Sequence, residues 1–137
     1  DEQLATVDTA ASDREAFFTL AATDVRNACD AFRGVYERTS AVDGYVSLEV
    51  SPDLARDAAG TVAEARRLWA IVDRPNLMIK VPGTIEGAEA IRQLIADGIN
   101  VNVTLLFAVE AHARVIEAYL AGLEQRAAAG LPIDRIA

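Results

Sequence analysis

Three short segments of this chain, Tyr45 to Val50, Leu77 to Val81 and Ile99 to Leu105, alternate polar and apolar side chains, and each is followed by a stretch of helical periodicity. Runs of this length, rich in β-formers and bounded by turn residues, read as strands. Strand and helix units in succession require parallel strands joined by right-handed crossovers, so the chain falls in the α/β class. The alternation then fixes the faces. Tyr45, Ser47 and Glu49 share one face of the first strand, Met78 and Lys80 one face of the second, and Asn100, Asn102 and Thr104 one face of the third, because successive side chains point to opposite sides. The reverse faces are apolar. A doubly wound sheet buries both faces under helices and calls for apolar residues on both, whereas a barrel wall has helices outside and a lumen inside. The polar parity therefore predicts a barrel wall. An eight-fold barrel takes about 200 residues or more, and this chain has 137. The expectation is a single segment of a (β/α)8 barrel over residues 1–137, with a helical lead-in over 1–42 and three βα units over 43–137.

The helices are well punctuated. Ser12-Asp13-Arg14-Glu15 reads as a capping box that starts a short helix to about Ala22. Thr23 or Asp24 is then expected to cap a longer one with an apolar stripe of Val25, Ala28, Cys29, Phe32, Val35 and Tyr36. After the first strand, Pro52 suits the first position of a short helix to Ala59, and Thr61-Val62-Ala63-Glu64 reads as a second capping box. Thr84 can cap a helix that ends at Gly98, where a left-handed residue is wanted. A last helix over about Val109 to Ala129 stops at Gly130, and Leu131 to Ala137 reads as the approach to a further strand. With that strand absent, both flanking strands are left open, and open edges invite self-association. A chain that begins at Asp1 without an initiator Met also suggests a processed product or a piece of a longer protein.

Charge excludes some partners. Thirteen Lys and Arg against 21 Asp and Glu give a net charge of −8 and a pI near 4.6, which repels nucleic acid and anionic membranes. The one cysteine, Cys29, can form no internal disulfide, which fits a reducing cytoplasm. No apolar run approaches the ~20 residues of a membrane span.

Lys80 is the leading candidate for chemistry. Alone, a lysine in a short apolar strand is most often at an edge or reaching for solvent. A lysine facing a lumen, with a carboxylate on one neighbouring strand and an amide and hydroxyl on the other, is instead a candidate amine nucleophile for a carbonyl. Imine formation needs the neutral amine, and an ionised Glu49 close by opposes it; a water between the two would soften that conflict. Glu49 reads either as half of a structural ion pair or as an acid/base acting on a water that the Thr104 hydroxyl holds. Asn102 can position a substrate hydroxyl or make a plain lumen hydrogen bond. Gly83 and Thr84 open a helix whose amides could hold an anion, a weak signal. His112 has no metal-ligand spacing, and Trp69 and Phe107 read as core. No nucleotide-binding, paired-thiol or serine-hydrolase motif is present.

The strands Val46-Ser47-Leu48-Glu49-Val50, Asn76-Leu77-Met78-Ile79-Lys80-Val81-Pro82-Gly83-Thr84 and Gly98-Ile99-Asn100-Val101-Asn102-Val103-Thr104-Leu105-Leu106-Phe107 together resemble transaldolases, in order and most closely those of the actinobacterial type. The Asp73-Arg74-Pro75 turn and the helix from Asp24 extend the resemblance over most of the chain. It implies a cytoplasmic, metal-free class I aldolase with no cofactor, which moves a dihydroxyacetone unit from sedoheptulose 7-phosphate to glyceraldehyde 3-phosphate in the pentose phosphate pathway. By the same resemblance Lys80 is the Schiff-base lysine, Glu49 and Thr104 hold the catalytic water, and Asn102 contacts substrate. Gly83 and Ala108 depart from the residues common at those positions. The family takes an aspartate and an asparagine from its first two strands and phosphate-binding groups from later ones, so this chain corresponds to the third to fifth strands and is expected to be inactive by itself. Two other readings stay open: a smaller fructose 6-phosphate aldolase-like enzyme, and a non-catalytic α/β domain whose open edges serve assembly.

Overall fold

The computed structural model describes residue 10 and residues 12–137. The weakly patterned residues 1–9 and 11 lie outside the described residues. Four helices and three strands follow in the order α1 (Asp13–Arg38), β1 (Val46–Glu49), a single 3-10 turn (Pro52–Leu54), α2 (Ala58–Val72), β2 (Leu77–Pro82), α3 (Ile85–Asp97), β3 (Val101–Thr104) and α4 (Val109–Ala128). The sheet is parallel with order β1-β2-β3. This is the predicted α/β arrangement, consistent with part of a barrel wall.

The capping box at Ser12 and Glu15 forms as expected, but the helix it starts does not stop at Ala22. Thr19 and Thr23 turn their hydroxyls inward to the carbonyls of Glu15 and Thr19, four residues back. Each threonine thus finds a partner without a chain break, and one helix of 26 residues replaces the two expected. Cys29 and Tyr36 of the anticipated stripe are buried, while Phe32 is exposed.

The second expected capping box also moves. Asp57 caps α2 by accepting from the Gly60 N–H, at 2.9 Å, and the Thr61 hydroxyl instead donates to the Leu54 carbonyl. The carboxylate of Glu64 points back to the strand end. At its far end α2 stops on left-handed Asp73, with Pro75 two residues on. Arg26 of α1 donates to the carbonyls of Ile71 and Val72, which the last turn leaves without intrahelical partners. Thr84 and left-handed Gly98 cap α3 as predicted. A side chain at Gly87 would sit 1.9 Å from the Pro82 carbonyl, so only glycine lets α3 start this close to the end of β2.

The core lies between the sheet and the helices α2 and α3. Leu48, Val50, Leu77, Ile79 and Val81 meet Ala65, Leu68, Val72, Ile91, Leu94 and Ile95, all buried. Full burial of such aliphatic side chains stabilises by about 1.5–3 kcal/mol each. Helix α4 packs mainly on α3, where Gly122 allows close approach to Arg92 and Ile95.

Two flanks are apolar and uncovered. Phe17 and Phe32 are exposed along α1, and Leu105, Phe107, Val109, Ile116 and Leu120 along the end of β3 and α4. Phe107, expected in the core, is 91% exposed because it follows a left-handed Leu105 that carries the chain off the sheet. The edge of β3 is not wholly open: the Val101 N–H donates to the Ala137 carbonyl at 2.8 Å, the Ala137 N–H to Asn100 Oδ1, and the Tyr119 hydroxyl to the Ile136 carbonyl.

Candidate active site

The parallel register sets Glu49, Lys80 and Asn102 level across the three strands, with Thr104 opposite Pro82. Since alternate residues share a face, Ser47, Glu49, Lys80, Asn102 and Thr104 all stand on the side turned away from the packed core, toward the C-terminal ends of the strands. The Lys80 ammonium lies 3.0 Å from Glu49 Oε2, and the Thr104 hydroxyl donates to Glu49 Oε1 at 3.2 Å. Asn102 Nδ2 donates to Ser47 Oγ at 3.1 Å. Every sequence-predicted site residue is therefore brought into one cluster.

The contact between Lys80 and Glu49 is direct, the ion pair that sequence reasoning held open beside a water-mediated arrangement. Both side chains keep access to solvent, at 32% and 46% exposed, so neither is locked in as a buried structural pair would be. One carboxylate group therefore touches an amine with one oxygen and a hydroxyl with the other, a geometry suited to passing a proton between the two neighbours.

Other candidates separate from this cluster. At the α3 start the Gly83 N–H donates to the Thr104 carbonyl at 2.7 Å and the Gly87 N–H to Thr84 Oγ1 at 2.9 Å, while the Thr84 hydroxyl itself donates to the Ala55 carbonyl. The first of these bonds ties the end of β2 to the end of β3 beside the site. His112 is exposed on α4. Among the described residues no group of three or more His, Cys, Asp or Glu could hold a metal.

Sequence reasoning missed Glu64. It is nearly buried, accepts the Ser51 N–H at 2.5 Å and the Arg14 guanidinium at 2.7 Å, and so anchors the chain two residues beyond Glu49. An acidic residue among Val62, Ala65 and Leu68 on the buried side of α2 was the available signal, since a buried carboxylate implies donors waiting for it. A cavity of about 420 Å³ opens beside the free edge of β1, with Glu49 and Arg14 in its wall.

Fold and cluster together define a parallel α/β protein with a lysine-centred polar site at the ends of its strands. A family model described as Transaldolase/Fructose-6-phosphate aldolase matches residues 1–136, and the chain belongs to that family. It is 57% identical over 122 residues to the transaldolase of Thermobifida fusca, a match covering 89% of this chain and 33% of that protein. The transaldolases of Acidothermus cellulolyticus and Trichodesmium erythraeum are 53% and 51% identical over 123 residues each, covering 90% of this chain and 33% and 32% of theirs. The chain spans about a third of the length of the curated relatives it matches. No helix among the described residues is long and apolar enough to cross a membrane.

Proposed function

We propose that the chain is the lysine-bearing middle part of a transaldolase, holding the third to fifth strands of a (β/α)8 barrel, with residues 1–42 as lead-in and 43–137 as three βα units. The observation that carries the reading is the Lys80 ammonium 3.0 Å from a Glu49 carboxylate whose other oxygen accepts from Thr104. In this reading Glu49 takes a proton from Lys80, and the neutral amine adds to the carbonyl carbon of a ketose phosphate. The resulting carbinolamine loses its hydroxyl as water when Glu49, directly or through a water held with Thr104, returns the proton.

The protonated imine then accepts the electron pair of the carbon–carbon bond one carbon removed from it. That bond breaks as the adjacent hydroxyl loses its proton, an aldehyde leaves, and an enamine of the dihydroxyacetone unit remains on Lys80. The enamine carbon attacks the aldehyde of glyceraldehyde 3-phosphate, and water hydrolyses the new imine to release the six-carbon fructose 6-phosphate. The rest of the seven-carbon donor sedoheptulose 7-phosphate has by then left as a four-carbon aldehyde phosphate, and the reverse direction regenerates sedoheptulose 7-phosphate from that aldehyde. Asn102 orients a hydroxyl of the bound ketone. The base that takes the hydroxyl proton belongs, by the resemblance, to a strand outside this sequence, so the chain alone is expected to form the imine without transferring the unit. The pentose phosphate pathway and the cytoplasm follow from the same family reading, and the exposed flanks beside β1 and β3 favour self-association of the isolated chain. Relatives named transaldolase favour this over the smaller aldolase that shares the family description.

Borohydride reduction in the presence of dihydroxyacetone or fructose 6-phosphate, followed by peptide mass mapping, tests the reading. A reduced adduct on Lys80 that disappears in Lys80→Ala is expected. Absence of any adduct at Lys80 with both ketones overturns it.

A further inference from the structure

Lys80 is bracketed by two side-chain hydrogen bonds that each span β2. One joins Glu49 to Thr104 beyond it, and the other joins Ser47 to Asn102 beneath it. Each links a β1 residue to the β3 residue one same-face step further along the register, so the pair repeats one geometry twice on either side of the amine. The upper bond is part of the proton relay already described. The lower one has no role in that relay.

Its consequence lies in the planar amide. With Nδ2 of Asn102 donating to Ser47 Oγ, Oδ1 is directed away from Ser47, and among the described residues it accepts no hydrogen bond. Asn102 stands level with Lys80 in the ladder, so the amide that carries this unpartnered acceptor lies on the strand next to the amine. In the observed arrangement the amide nitrogen is taken up by Ser47 and the amide oxygen is left for a ligand. An acceptor at this place favours a ketone whose flanking carbon carries a hydroxyl, because a hydroxyl supplies the proton and an alkyl group does not.

We propose that Ser47 is a positioning residue that fixes the Asn102 amide with its oxygen toward the ketone on Lys80, making imine formation selective for hydroxylated ketones over plain ones. The proposal rests on the Schiff-base reading of Lys80, and its test separates the two. Borohydride trapping at Lys80 is run with dihydroxyacetone and with acetone, and the ratio of the two adducts is divided by the ratio that Nα-acetyl-lysine gives in solution. In the unsubstituted chain this quotient is expected to exceed unity. In Ser47→Ala it should fall about 3- to 10-fold, the worth of one neutral hydrogen bond, with the acetone adduct unchanged, and Ser47→Thr, which keeps the hydroxyl, should restore it.

An unchanged quotient in Ser47→Ala overturns the proposal while leaving the Schiff base intact. An equal loss of both adducts overturns it too, since that is the effect of a purely structural serine. No adduct from either ketone in the unsubstituted chain removes the Schiff-base reading and the proposal with it.

Discussion

The sheet has polar side chains at both ends of its strands, but the two ends hold them in opposite ways. At the N-terminal end Asn76, which leads into β2, and Asn100, which leads into β3, are 0% and 2% exposed. Their amides donate only to backbone carbonyls: Asn76 to those of Cys29 and Gly44, Asn100 to those of Pro75 and Leu77. At the C-terminal end Lys80, Glu49, Thr104, Asn102 and Ser47 bond to one another's side chains and keep contact with solvent. A side chain committed to a buried carbonyl cannot leave it without a large penalty. A side chain paired with another exposed one can exchange that partner for a ligand at little cost. The first end joins the strands to α1 and to one another; the second is free to do chemistry.

The largest effect that separates the ends is expected at Asn76. Asn76→Ala removes two hydrogen bonds and leaves the buried Gly44 carbonyl without its partner, while the Cys29 carbonyl keeps its bond within α1, for a loss of about 2–4 kcal/mol. Its own Oδ1, buried with no partner among the described residues, offsets part of that loss when it is removed. Chemical denaturation measures the change. Cys29 offers a second readout, because it is the chain's one cysteine, fully buried, and its burial pushes the thiol pKa up. Alkylation of Cys29 under native conditions should accelerate in Asn76→Ala as α1 opens from β2. A variant as stable and as slowly alkylated as the parent would erase the distinction between the ends.

The contrary behaviour is expected of Thr104→Val. It deletes one half-exposed hydrogen bond and keeps the shape, so stability should stay within about 0.5 kcal/mol of the parent. Borohydride trapping of dihydroxyacetone at Lys80 should nevertheless slow about 3- to 10-fold, as the carboxylate that relays the proton loses its second partner. A Thr104→Val chain that unfolds as readily as Asn76→Ala would show that the C-terminal end is structural as well.

How legible each end was follows from the same difference. The strand parity alone placed Ser47, Glu49, Lys80, Asn102 and Thr104 on one face, because alternation is a local property and parallel pairing then brings the faces together. The capping residues Ser12, Thr84 and Gly98 were legible for the same reason. What escaped depends on distant partners. The continuity of α1 through Thr19 and Thr23 turns on hydroxyls that bond within the helix rather than cap it, and both uses suit threonine. Glu64 reads as the last residue of a capping box until the Ser51 amide and Arg14, 13 and 50 residues away in sequence, are seen to converge on it. Phe107 reads as core because an aromatic after a strand usually is, and only the left-handed turn at Leu105 shows otherwise.

The smallest expected effect sharpens the comparison from within the N-terminal end, where a charged pair sits directly beside the buried amides. Asp30 follows Cys29 on α1, and Arg74 stands two residues before Asn76; the guanidinium reaches both carboxylate oxygens, at 2.5 and 3.0 Å. That contact holds the Asp30 carboxyl below its usual range and raises the arginine. A folded-state value below the unfolded one means the pair stabilises fully above the ordinary carboxylate range and loses its contribution as pH falls through the lowered value. The window therefore lies below about pH 4. Asp30→Asn should flatten the acid limb of the stability curve there and change little near neutrality, because the carboxylate is half exposed and screened by water. Comparing urea midpoints of the two chains at pH 7 and at pH 3 measures this. If Asp30→Asn instead destabilised the chain at pH 7 as strongly as Asn76→Ala, the joint between α1 and β2 would owe its strength to the ion pair rather than to the buried amide.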